Sequence, residues 1–184
     1  ETGYISFAGG KKYDLHLCAL GNSVATPADG IAAPVIEVKD FSELDQLGEK
    51  VKGKIVFFNH PMNPLFINTF NAYRESGIYR GRGPSRAAKY GAIGVLVRSL
   101  ASNIDDYPHT GSTSYNDSFP KIPAVAISTR DAEMLSIQLK KRTQMTAYFK
   151  TNCRSLPDEL SYNVIGEIRG TESPEQIILV GGQT

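Results

Sequence analysis

Apolar residues in this chain come in short runs of strand length, separated by clusters of Gly, Pro, Asn, Asp and Ser that supply turn chemistry. Residues 13–20 alternate well enough for a strand, and the turn residues at 21–30 end it. A second strand is expected over 31–38. Asp40 or Ser42 can cap a short helix over 43–47, because a side-chain oxygen there accepts from the unpaired amides of a first helical turn. Lys54-Ile55-Val56-Phe57-Phe58 is a continuous run bounded by Gly53 and Asn59, the pattern of a central strand covered on both faces. Further on, the pattern predicts a helix over 85–90 closed by Gly91, buried strands over 93–97 and 122–127, a helix over 131–141 capped by Ser128 or Thr129, and an alternating strand over 144–151. Two stretches break this rhythm. From 60 to 83, Pro61, Pro64, Gly77, Gly81 and Gly83 interrupt any sustained period, so a long loop is expected there, ordered by its aromatics. Residues 100–121 read as a second, polar loop.

After Leu156-Pro157-Asp158-Glu159, which reads as a linker, the style changes. Residues 162–169 and 176–180 read as two strands, and the second, Ile177-Ile178-Leu179-Val180, is apolar throughout and needs cover on both faces. A hairpin of this size is marginal alone, so partners in a further domain are expected. The division is therefore 1–12 as a tail or linker, 13–155 as the main domain, and 156–184 as a linker with the first strands of another. The expected fold is mixed α/β: a strand-rich sandwich or open barrel with two or three short helices and a C-terminal β-hairpin.

Composition narrows the function. Of 184 residues, 41% are hydrophobic and 21% charged, enough for one full core. Twenty Lys and Arg against nineteen Asp and Glu leave a net charge of +1, which argues against a nucleic-acid partner or a charged membrane surface. No run is long enough to span a bilayer, and the chain opens on Glu1, so it reads as excised from something longer. Cys18 and Cys153 fit neither a redox pair nor zinc-ligand spacing and read as free thiols, with a disulfide open only if their Cα atoms approach within about 7 Å. Asn116-Asp117-Ser118 is an acceptor pattern for glycosylation that matters only in a eukaryotic secretory pathway. His16, His60 and His109 lack metal-ligand spacing, and no nucleophile, base and acid set stands out. Arg74, Arg80, Arg82 and Arg86 crowd one stretch, where they either bind a carboxylate or phosphate or form a solvated charged loop.

Three segments in order carry a resemblance: 51–58 (VKGKIVFF), 85–97 (SRAAKYGAIGVLV) and 122–127 (IPAVAI). Together they are similar to the protease-associated domain. With 19–24 (ALGNSV), 108–111 (PHTG), 131–135 (DAEML) and 163–170 (NVIGEIRG), the likeness extends to the two-zinc exopeptidases of the plasma glutamate carboxypeptidase (carboxypeptidase Q) type. The resemblance implies a non-catalytic domain of a secreted or periplasmic metallopeptidase that trims or splits short peptides. In such a parent, two zinc ions would polarise the scissile carbonyl and activate a bridging water. The family's His-x-Asp-Ser segment should follow 177–182, yet Gln183 and Thr184 stand there, so no catalytic or metal residue is carried over onto this chain. Expected partners are the parent's peptidase domain and short peptides, with a homodimer of the parent possible. Tyr73, Arg74, Tyr79, Arg80, His109 and Tyr115, in the two irregular stretches, are the candidate substrate-gating residues. The alternatives are a pure interaction module, since similar domains occur in sorting receptors and serine proteases, or an inactive peptidase relative.

Overall fold

The computed structural model describes residues 1–141 and 144–182, so the expectations placed on Gln183 and Thr184 lie outside the described residues. Among the described residues, eight strands form one mixed sheet in the order β2-β1-β8-β4-β5-β6-β7-β3. They are β1 (Thr2–Phe7), β2 (Lys12–Asp14), β3 (Leu17–Ala19), β4 (Ile31–Val38), β5 (Ile55–Phe58), β6 (Gly94–Arg98), β7 (Ala124–Ile127) and β8 (Met145–Lys150). Among the described residues three α-helices accompany them, α1 (Phe41–Leu47), α2 (Thr69–Lys89) and α3 (Thr129–Lys140), with one 3-10 turn over Gly48–Val51. The α/β class therefore holds.

The strand β4 joins two halves of different character. Its first half, Ile31 to Pro34, pairs antiparallel with β8, and its second half, Val35 to Val38, pairs parallel with β5. Parallel pairing continues through β5, β6 and β7. Along β5 the side chains alternate between two cores, as the pleat requires. Val56 and Phe58 pack with Val38, Leu44, Tyr79, Ala87 and Val97 beside α1 and α2. Ile55 and Phe57 pack with Ile5, Leu96, Leu135 and Phe149 beside α3. All four β5 side chains are fully buried, and each such burial contributes about 1.5–3 kcal/mol. Asp40 caps α1 by accepting from the Glu43 amide at 2.7 Å, and Ser128 caps α3 by accepting from the Asp131 amide at 3.0 Å.

Three expectations are corrected. The first twelve residues are not a tail: β1 pairs along its whole length with β8, and Ile5 lies in the core. The stretch expected as a loop is the longest helix, α2, which starts at Thr69 behind the Asn68 cap and runs through Gly77, Gly81, Gly83 and Pro84. Interior Gly costs about 1 kcal/mol and Pro about 3 kcal/mol relative to Ala, so propensity alone opposes this helix. Packing reverses the balance. Ala72, Ser76, Tyr79, Gly83 and Ala87 recur at helical spacing and are buried, and a Cβ at Gly83 would meet the Phe58 ring at 2.8 Å, so only Gly lets the helix lie this close to β5. Finally, the expected hairpin does not form. From 152 to 182 the described chain has no helix or strand, and Ile177, Ile178, Leu179 and Val180 are exposed, because among the described residues no strand pairs with them and no layer covers them.

Candidate binding face of helix α2

Pro84 has no N–H to give the Arg80 carbonyl, and one residue further on the Gly81 carbonyl turns outward to the polar loop. There it accepts from the Ser114 amide at 2.8 Å and from the Thr113 hydroxyl at 3.2 Å. The Ser85 hydroxyl accepts from the Asn116 amide at 2.9 Å. These bonds lay the loop along α2 and bring together the two stretches that the sequence marked separately. Arg80 is the bridge. Its Nη1 donates to the Thr110 carbonyl at 3.2 Å, its Nη2 to the Tyr73 hydroxyl at 2.7 Å, and the guanidinium lies 5.2 Å from the Tyr73 ring. Gly111 leaves room for it, since a Cβ there would overlap the guanidinium.

Tyr73, Arg74, Arg80 and Arg82 line an open groove of about 560 Å³ with Phe70 and Ile78. Of its apolar lining Phe70 is largely exposed and Tyr73 and Ile78 partly so, and Leu65, Phe66 and Ile67, which precede the Asn68 cap of α2, are exposed as well. His109 is exposed, with its amide donating to the Ser99 hydroxyl at 2.8 Å, one residue from the carbonyl that Arg80 binds. Two expected members fall away from this face. Tyr79 is buried in the core against Phe41, Phe58 and His60, and burial pushes its phenol pKa up. Tyr115 is half-buried and donates to the Ile122 carbonyl at 2.6 Å, again with its pKa raised by burial. Both stand in stretches that read as loop in the sequence; helical spacing turns Tyr79 inward, and the Ile122 carbonyl accepts from the Tyr115 hydroxyl. Cys18 and Cys153 are half-buried free thiols, and burial raises the pKa of Cys18.

One cluster was invisible in the sequence because its members are far apart. His16, Asp106 and Asp131 bring ligand-type atoms within 4.8 Å of one another. Their lone pairs are already engaged: the buried Asp131 carboxylate accepts from the His16 amide at 2.6 Å and the Tyr13 hydroxyl at 2.9 Å, and Arg130 lies 3.4 Å from Asp106. The Tyr13 phenol is pushed up to about 12, first by burial and then by this bond. The group clamps the N-terminus of α3 to the β2–β3 connection. It does not offer the paired sites that two zinc ions would need.

A mixed α/β unit of this kind occurs within solved peptidases. The chain is similar to a peptidase M28 precursor from Shewanella amazonensis, with a TM-score of 0.73 and 28% identity over 80% of this chain and 33% of that one. The fold is also shared with an aminopeptidase from Aneurinibacillus, with a TM-score of 0.51 and 20% identity over 81% of this chain and 29% of that one. In sequence it is 40% identical over 172 residues to carboxypeptidase Q of Xenopus laevis, covering 94% of this chain and 35% of the relative. With human carboxypeptidase Q it shares 38% over 170 residues, 92% of this chain and 34% of the relative. The chain thus spans about a third of the length of these relatives; it is homologous to a stretch of carboxypeptidase Q and fits a partial domain of an M28-type peptidase. No protein-family model matches it. Among the described residues no helix is long and apolar enough to cross a membrane.

Proposed function

We propose that this chain is the protease-associated domain of a secreted, zinc-dependent exopeptidase, and that the α2 face borders the substrate entrance of the peptidase domain and restricts it to short peptides. The zinc ions, their ligands and the general base belong in this reading to the rest of the parent. The observation that carries it is the groove itself: exposed Phe70 and Ile78 offer apolar cover, while the guanidinium groups of Arg74 and Arg80 can hold a peptide carboxylate. Homology to a third of carboxypeptidase Q supports it independently. His109 stands at the edge of the same face and is assigned a secondary role; Tyr79 and Tyr115 are assigned none.

The test is substitution in the full-length peptidase that contains this chain. Arg74→Ala, which removes one charge-assisted contact, and Phe70→Ala, which removes apolar cover, should each lower kcat/KM for dipeptides about tenfold relative to longer peptides. Unchanged kcat/KM across dipeptides and longer peptides in both variants would sink the gating role and favour a pure interaction module.

A further inference from the structure

A second cavity, of about 610 Å³, shares no lining residue with the α2 groove. It lies at the carboxyl ends of three neighbouring parallel strands, lined by Glu37 of β4, Asn59 and His60 just beyond β5, and Arg98 of β6, with Glu133 and Ser136 of α3 on one side. Open α/β sheets bind ligands at such strand ends, where backbone and side chains of adjacent strands converge. The lining is built as a network. The Arg98 Nη1 donates to Glu133 Oε1 at 2.7 Å and to Asn59 Oδ1 at 3.2 Å; Asn59 Nδ2 donates to Glu37 Oε1 at 2.6 Å, and the Ser136 hydroxyl donates to the same oxygen at 2.7 Å.

Two groups in this network are incompletely answered. Arg98 is only 4% exposed, yet its Nε is buried with no hydrogen-bond partner. A buried N–H without a partner costs about 1–3 kcal/mol, more when it carries charge. Arg98 thus spends Nη1 on the protein, while Nε on the other edge of the fork, the edge that recognises a carboxylate through two parallel bonds, is closed off from solvent without a partner, so a carboxylate seated there displaces the side chains that cover it. Glu37, for its part, accepts only from the neutral Asn59 and Ser136, with no ion pair among the described residues. A cavity holding an under-used guanidinium and an unpaired carboxylate is complementary to a molecule that carries both opposite charges.

We propose that this cavity binds the zwitterionic ends of a free amino acid or short peptide, its carboxylate on Arg98 and its ammonium on Glu37. The site goes beyond the gating role and stands or falls without it. The Arg98 Nε–H gives its own NMR signal, and the 184-residue chain can be titrated with glycine, glycylglycine, acetate and methylammonium. Glycine or glycylglycine should shift that signal saturably, and the tighter of the two identifies the occupant; acetate and methylammonium should bind at least about tenfold more weakly. Glu37→Gln keeps an oxygen to accept from Asn59 and Ser136 while removing the charge, so it should fold normally and weaken zwitterion binding about tenfold. No saturable shift with either zwitterion up to tens of millimolar, or acetate binding as well as glycylglycine with Glu37→Gln without effect, would overturn the proposal.

Discussion

Ile55-Val56-Phe57-Phe58 and Ile177-Ile178-Leu179-Val180 are two apolar tetrads with nearly the same pattern and opposite fates. All four side chains of the first are 0% exposed; those of the second are between 87% and 92% exposed. The first has β4 on one side, β6 on the other, and a helical layer over each face. The second has none of these among the described residues. An apolar run states a demand for cover; it does not supply it. What meets the demand for β5 comes from residues far along the chain: Tyr79 and Ala87 on one face, Leu135 and Phe149 on the other.

Truncation is the harshest way to break this comparison. Phe58→Ala should cost about 3–5 kcal/mol, whereas Ile178→Ala should change stability by less than about 0.5 kcal/mol, both read from urea unfolding. Equal costs would show that 177–180 is packed in solution after all. A smaller effect sharpens the reason for β5's burial: Gly83→Ala adds a methyl against the Phe58 ring and should destabilise by about 1–3 kcal/mol. A variant as stable as the parent chain would mean that α2 can back away from β5 freely.

The subtlest effect concerns how the first strands are held to α3. Tyr13 is neutral below pH 10, and its pKa is raised to about 12 in the folded chain, mainly by burial. Since the folded state holds this proton more tightly than the unfolded one, the Tyr13 contribution is fully present below pH 10 and is lost as pH rises towards 12. Unfolding followed across that window should show a loss of stability, and Tyr13→Phe should flatten it. An identical slope in the variant would remove the clamp from the account.

Much of the parallel half was legible in the sequence. Central strands declare themselves by continuous apolar runs, and the caps of α1 and α3 by Asp40 and Ser128, because these signals are local. The amino-terminal strand and α2 were not. Thr2–Phe7 has a weak pattern whose partner, β8, lies at the far end of the domain. In α2, Gly and Pro mask a stripe, Ala72, Ser76, Tyr79, Gly83 and Ala87, whose small residues are what a close helix needs, and reading that spacing would have found it. The candidate site was half legible. Arginines and aromatics marked two stretches that the fold brings together, yet without the helix their directions were open, and Tyr79 turns into the core. The network around Arg98 had no signal at all, since Glu37, Arg98, and the pair Glu133 and Ser136 sit on three separate elements and Asn59 lies just beyond a fourth.

By itself, the sequence determined the class of fold, the runs that must be buried and the kinship with a third of carboxypeptidase Q, because alternation, caps and local similarity are written in neighbouring residues. Tertiary structure alone decided that a Gly- and Pro-rich stretch becomes a helix, that Arg80 meets the loop at Thr110, and that a guanidinium and a carboxylate face one cavity. Those outcomes depend on which surfaces come together, and packing between distant elements outweighs the preferences of any one of them.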